Sequence, residues 1–165
     1  MPESSLIATL RSFADAGVRF ILVGGLAAVL NGAPIQTFDI DLVYAQDDTN
    51  IKRLLAVLES LDAIFRLQPE RRLRPAASHL SARGHLNLLT RYGPVDLLAT
   101  IGENLAFDDL LPHTTEMQIA EGVRISVLDL ETIIAVKEQL AGTKDIAVLP
   151  ILRQTLSEMK KRRGS

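Results

Sequence analysis

Two aspartates stand two residues apart inside an otherwise apolar run, Phe38-Asp39-Ile40-Asp41-Leu42-Val43-Tyr44. Successive side chains of a strand point to opposite faces, so Asp39 and Asp41 project together while Ile40 and Leu42 turn toward a core. Aspartate is a poor strand former. Two on one face therefore predict a strand, over about residues 38–44, with one buried side and one side that gathers negative charge. The same apolar-acid-apolar setting recurs at Val95-Asp96-Leu97. Three carboxylates on one patch of sheet repel one another and raise at least one pKa unless a counter-charge meets them. Oxygen ligands with neither His nor Cys beside them suit Mg²⁺ or Mn²⁺ rather than zinc. Two such ions, about 3.5–4 Å apart, activate an attacking oxygen and stabilise a leaving pyrophosphate. A single aspartate at a strand end is more often solvated or a helix cap; the metal reading rests on Asp39, Asp41 and Asp96 together.

A second apolar run, residues 18–23, reads as a buried strand that passes straight into Gly24-Gly25 and a short Ala/Leu-rich helix over residues 26–31, closed by Gly32. Glycines opening a helix offer bare N–H groups at its positive end, where phosphates bind. A tight strand-to-helix turn without a ligand would need the same residues. Other phosphate motifs are absent: there is no GxxxxGK[ST] and no GxGxxG. His79, His85 and His113 are far apart and have no Cys or Ser partner, so they read as surface or structural residues, and no GxSxG occurs.

The remaining pattern is of alternating elements. Ser4 or Ser5 caps a helix presenting Leu6, Leu10, Phe13 and Ala14, with Gly17 as a left-handed stop. Asp47 or Asp48 caps another, presenting Ile51, Leu54, Leu55, Leu58 and Leu61. Residues 68–82, rich in Arg, Pro, Ser and Ala, read as a mobile surface loop. Residues 86–90 and 95–98 form a hairpin turning at Tyr92-Gly93-Pro94, and residues 117–120 and 123–127 another at Glu121-Gly122. Asp129 caps a helix with Leu130, Ile133, Ile134 and Val136. A last helix follows Thr143 with Ile146, Leu149, Leu152, Leu156 and Met159 inward, kinked or delayed by Pro150. This predicts an α+β fold: a mixed, largely antiparallel central sheet flanked by helices, with a helical C-terminal third. The length, 165 residues, suits one domain, a sheet-containing core over 1–128 and C-terminal helices over 129–160. The chain has no cysteine, so disulfides and thiolate sites are excluded. No leader pattern or membrane-length apolar segment is evident, which predicts a cytoplasmic protein with no membrane partner. Net charge is −2, giving no global field for nucleic acid. Arg71-Arg72-Leu73-Arg74 and Lys160-Lys161-Arg162-Arg163 read as a solvated loop and a frayed terminus.

Taken in order, Val23-Gly24-Gly25, Thr37-Phe38-Asp39-Ile40-Asp41 and Val95-Asp96-Leu97 resemble the DNA polymerase β-type nucleotidyltransferase superfamily, and within it the small abortive-infection (AbiEii-like) toxin type. Leu128-Asp129-Leu130-Glu131, Ala135-Val136-Lys137 and Thr143-Lys144-Asp145 resemble that group's C-terminal helix with spaced lysines. The resemblance implies a nucleotidyltransferase fold and transfer of a nucleoside monophosphate from a nucleoside triphosphate to a hydroxyl of RNA, protein or a small molecule. It implies that Asp39 and Asp41 bind the Mg²⁺ or Mn²⁺ carrying the triphosphate, and that Asp96 completes a second site and helps deprotonate the acceptor. Gly24 and Gly25 would hold the β- and γ-phosphates, Thr37 would touch nucleotide or metal-bound water, and Lys137 or Lys144 would neutralise triphosphate charge. A toxin-like role would bring an antitoxin partner. Two departures stand out. Gly25 replaces a serine common in relatives, and Ile35 and Gln36 stand where many carry Arg. The competing reading is a non-catalytic Mg-nucleotide-binding module of the same fold acting through a protein partner; a third is a structural protein with an accidental acidic pair.

Overall fold

The computed structural model describes residues 3–140 and 143–164, with side chains undescribed at 143–145. Helix α1 (Ser5–Asp15) starts where the Ser4 hydroxyl accepts a hydrogen bond from the Ile7 N–H at 3.2 Å, and it buries Leu10 and Phe13 completely. Gly17, at φ +74°, ends it in the left-handed conformation that glycine adopts without strain. Strand β1 (Phe20–Val23) follows, buried at every position, and turns directly into α2 (Gly24–Leu30). Strand β2 (Ile40–Tyr44) lies antiparallel to β1, pairing Phe20 with Tyr44 and Val23 with Asp41.

Helix α3 (Asp48–Ser60) is capped by Asp47, whose carboxylate accepts from the Asn50 N–H at 3.1 Å. Asn50 itself is a buried clamp. Its Oδ1 accepts from the Arg19 N–H at 2.7 Å, and its Nδ2 donates to the carbonyls of Arg19 and Ala45 at 3.0 and 2.7 Å. One side chain thereby ties the entry of β1 to the exit of β2 and both to α3.

Strand β3 (Ile64–Phe65) and the hairpin of β4 (His85–Thr90) and β5 (Gly93–Leu98) complete one half of the sheet. A small two-stranded unit, β6 (Thr100–Ile101) with β7 (Leu105–Ala106), leads to α5 (Phe107–Leu110), and β8 (Thr114–Ala120) pairs with β9 (Val123–Leu128). The order is β3-β4-β5-β2-β1-β9-β8; β2–β5 and β1–β9 are parallel and the other pairs antiparallel. Helix α6 (Leu130–Leu140) begins at Asp129, which accepts from the Thr132 N–H at 2.8 Å, and packs on α7 (Thr143–Arg163). The apolar cluster runs from Leu10 to Leu152, drawing on every large element. The expected α+β architecture is the observed one. Among the described residues no helix is long and apolar enough to cross a membrane.

Several local expectations change. The strand expected over residues 38–44 starts only at Ile40, because Phe38, 79% exposed, and Asp39 belong to the preceding loop. Residues 68–82 are not simply a surface loop. Helix α4 (Ala77–Ser81) buries Leu80 completely, and the Leu80 carbonyl accepts from the Tyr44 hydroxyl at 2.8 Å and from Gln46 Nε2 at 3.0 Å. The β4–β5 turn falls at Arg91-Tyr92, one place early, because Gly93 and Pro94 already pair with Thr90 and Leu89. Helix α7 starts at Thr143 and continues through Pro150; Ile146, expected inward, is 57% exposed, while Leu149 and Leu152 carry the contact.

Asn50→Ala is expected to lower unfolding free energy by about 2–4 kcal/mol, since it strands buried backbone groups rather than merely losing one bond. Urea unfolding checks this; a loss below about 0.5 kcal/mol, the size of an ordinary surface change, would show that the clamp carries no weight.

Candidate functional site

The parallel β2–β5 ladder sets Asp41 directly opposite Asp96, and β4 sets Asn87 opposite Asp96 in turn. Arg66, just past β3, donates its N–H to the Asn87 carbonyl at 2.9 Å and so extends the same row. In-register neighbours share a face. One face of the sheet therefore carries Arg66, Asn87, Asp96 and Asp41 in line across four adjacent strands.

The two central carboxyls hydrogen-bond to each other, and Asp41 is pushed up to about 7, first by burial, then by the charge of Asp96 and that hydrogen bond, with Asp39 adding a smaller repulsion and Lys137 an opposing attraction. Asp96 is also held from the other side: Arg66 Nη2 donates to its Oδ1 at 2.8 Å, and Nη1 donates to the Leu88 carbonyl at 3.1 Å. Asp39 stands apart from this pair, exposed in the loop, its N–H donating to the Thr37 hydroxyl at 3.4 Å.

Gly24 and Gly25 meet the acids at close quarters. A Cβ on Gly24 would lie 2.4 Å from Asp41 Oδ2, and φ is +71° there, so both space and backbone conformation call for glycine. A Cβ on Gly25 would lie 3.0 Å from the Thr37 hydroxyl. The pair thus has a packing reason, close approach of Asp41 and Thr37 to the start of α2, beside any role its N–H groups have. Thr37 is on the loop before β2 rather than on a strand face, yet it arrives at the same helix start.

A cleft of about 290 Å³ opens beside Asp41 and Gly24. Leu98, Ile101, Leu128 and the α6 residues Ile133, Val136 and Leu140 give it apolar walls, with Lys137, His85 and Thr100 as polar points. Helix α6 thus walls the cleft beside Asp41 and brings the charge of Lys137 to bear on it. Lys144 lies outside the residues whose side chains are described. A larger groove of about 690 Å³, between α3 and the segment before α4, contains none of these acids. Sequence reasoning missed Arg66 and Asn87. Asn87 carried a signal, a polar residue between Leu86 and Leu88 like Asp96 between Val95 and Leu97; Arg66 carried none.

The donor chemistry fits a hard divalent cation: carboxylates only, with the Asp41 carboxyl raised by burial and by its acidic neighbours, where positive charge is wanted. As the side chains stand, no three His, Cys, Asp or Glu groups among the described residues converge on one point that could hold an ion. Asp41 and Asp96 lie side by side on the sheet, and Asp39 is exposed in the loop before β2.

No family model matches the chain, and no curated protein does. Solved structures do. The lincosamide antibiotic adenylyltransferase LnuA, in its lincomycin-bound form, superposes with a TM-score of 0.60 at 17% identity over 94% of this chain and 98% of its own. A Thermotoga maritima protein assigned to the nucleotidyltransferases superposes with a TM-score of 0.55 at 17% identity, over 93% and 91%. At this identity what is shared is the fold, and the chain has the nucleotidyltransferase fold.

Because Asp41 holds its proton more tightly when folded, the unfolded chain releases it first as pH rises from about 4 toward about 7. The stability it contributes is full below about 4 and gone above about 7. Urea unfolding in a chelator should therefore show stability falling across that window. Asp41→Asn should flatten the fall and be the more stable protein at higher pH; an unchanged slope would assign the titration to another group.

Proposed function

We propose that this chain is a divalent-metal-dependent nucleotidyltransferase that moves a nucleoside monophosphate from a nucleoside triphosphate to a hydroxyl acceptor. The observation that carries the reading is the half-buried Asp41–Asp96 pair beside the Gly24 strand-to-helix junction, in a chain sharing its fold over nearly its whole length with an adenylyltransferase. Asp39, Asp41 and Asp96 would hold Mg²⁺ or Mn²⁺, which when bound supplies the charge that offsets both the acids and the triphosphate.

The residues divide the work. Gly24 and Gly25 leave backbone N–H groups open for the β- and γ-phosphates, and Thr37 and Lys137 stand close enough to the same corner to touch them. Lys144 is a further candidate for that charge. Asp96 takes the proton of the acceptor hydroxyl. The acceptor oxygen forms its bond to the α-phosphorus as the bond from that phosphorus to the bridging oxygen breaks, and pyrophosphate departs. Holding the two reactants in line is most of what such a site supplies.

Among RNA, protein and a small hydroxylated molecule, the third is favoured. The cleft at Asp41 has the size and apolar walls of a small-molecule site. The basic stretch that would favour RNA is engaged elsewhere, Arg74 with Asp62 and Arg71 with Gln68. LnuA, by its description, adenylylates a lincosamide antibiotic. A toxin-like role with an antitoxin partner is the alternative biological setting. One observation favours a non-catalytic Mg-nucleotide-binding module: Asp96 is occupied by Arg66, and among the described residues no chelating triad is assembled.

Labelled nucleoside triphosphate offered with Mg²⁺ or Mn²⁺ to hydroxylated small molecules, RNA and protein should yield a labelled small molecule. Asp41→Asn should reduce transfer on the order of a hundredfold or more. Nucleotide with Mg²⁺ should raise thermal stability. Binding without any labelled product would support the module, and transfer undiminished in Asp41→Asn would remove the metal account.

A further inference from the structure

The guanidinium of Arg66 is bonded to Asp96 in the carboxylate row, and the transfer reading gives it no role. Its fork is fixed at two points: Nη1 on the Leu88 carbonyl at 3.1 Å and Nη2 on Asp96 Oδ1 at 2.8 Å. Its backbone is fixed as well, through the bond to Asn87. The group is therefore anchored to β4 independently of Asp96, with its side chain 33% exposed. Asp96, 21% exposed, is the less exposed partner of the pair. From just past β3, Arg66 reaches over Asn87 to β5 and donates to Oδ1 of Asp96.

We propose that Arg66 is a positioning residue that sets the orientation of Asp96 for the transfer, and that it does so at the expense of cation affinity. The inference rests on the proposed transfer reaction. Two properties of Arg66 act in opposite directions. Its planar fork orients the carboxylate, as partners of functional carboxylates commonly do. Its positive charge repels a divalent cation bound to that same carboxylate. A residue that only braced the sheet would not divide these effects.

Two variants separate them. Arg66→Met removes the charge and keeps the reach; Arg66→Lys keeps the charge and loses the fork. Circular dichroism and thermal unfolding establish that each is folded. Titration with Mn²⁺ alone, followed by electron paramagnetic resonance, reads cation binding without turnover. Arg66→Met is expected to bind Mn²⁺ several-fold more tightly, while Arg66→Lys binds it as the parent does. In both, kcat for transfer is expected to fall roughly tenfold or more, the usual consequence of misplacing a reacting group, with KM for the nucleotide nearly unchanged. Weaker Mn²⁺ binding by a folded Arg66→Met, or undiminished kcat in both variants, overturns the proposal while transfer by the parent still stands. A parent that neither binds Mn²⁺ nor transfers overturns the transfer reading and this inference with it.

Discussion

The parallel pairing of β2 with β5 is the constraint on which the site depends. Two strands distant in sequence lock in a register that puts Asp41 against Asp96. A shift by one residue would turn one of them into the core and bring Ile40 or Leu97 out. The apolar residues between the acids hold that register: Ile40, Leu42 and Leu97 are all buried, so the ladder keeps the repulsion in place because slipping would expose more than it relieves. Asp41 answers by holding its proton more tightly, and Gly24 and Arg66 close in on the two acids.

Around this strained pair the scaffold is conventional and firmly tied. Asn50 couples the two central strands to α3 through buried hydrogen bonds, and Tyr44, at the far end of β2 from the acids, is fixed to α4 by its hydroxyl. Helix α6 does different work. It walls the cleft beside Asp41 with Ile133, Val136 and Leu140 and sets Lys137 among its lining, so the cleft is largely apolar with its charges at Asp41 and Lys137. Electrostatic contrast of that kind strengthens any interaction made at the acids, because the walls keep water and its screening away.

Much of this was legible in the sequence, and the reasons for the rest are physical. Period-two alternation exposed β2 and β5, capping residues located α1, α3 and α6, and Gly122 located the β8–β9 turn, since each is decided by neighbours in the chain. The meeting of Asp41 with Asp96 was suggested by the repeated apolar-acid-apolar pattern but not fixed by it, because strand pairing is a long-range choice. Arg66 was invisible: it follows a strand of two residues, too short for any pattern, and its importance comes from Asp96, which lies well along the chain. Leu80 was lost in a polar segment because one buried residue in a short helix gives no periodicity. Phe38 misled in the opposite sense, apolar yet outside the strand.

The pairing of β1 with β9 has a consequence for how the molecule is assembled in time. Strands β1 to β5 and the acids they carry lie within residues 20–98, and their contacts close modest loops. Strand β9, by contrast, must return across most of the chain to lie beside β1, a closure with a larger entropic penalty and a slower search. During synthesis the acidic row can therefore form while still open to solvent, and the apolar wall of α6 arrives afterwards. The cleft is walled late, by β9 and α6 with only α7 still to follow, so a chain halted before β9 would present its carboxylates without that apolar wall.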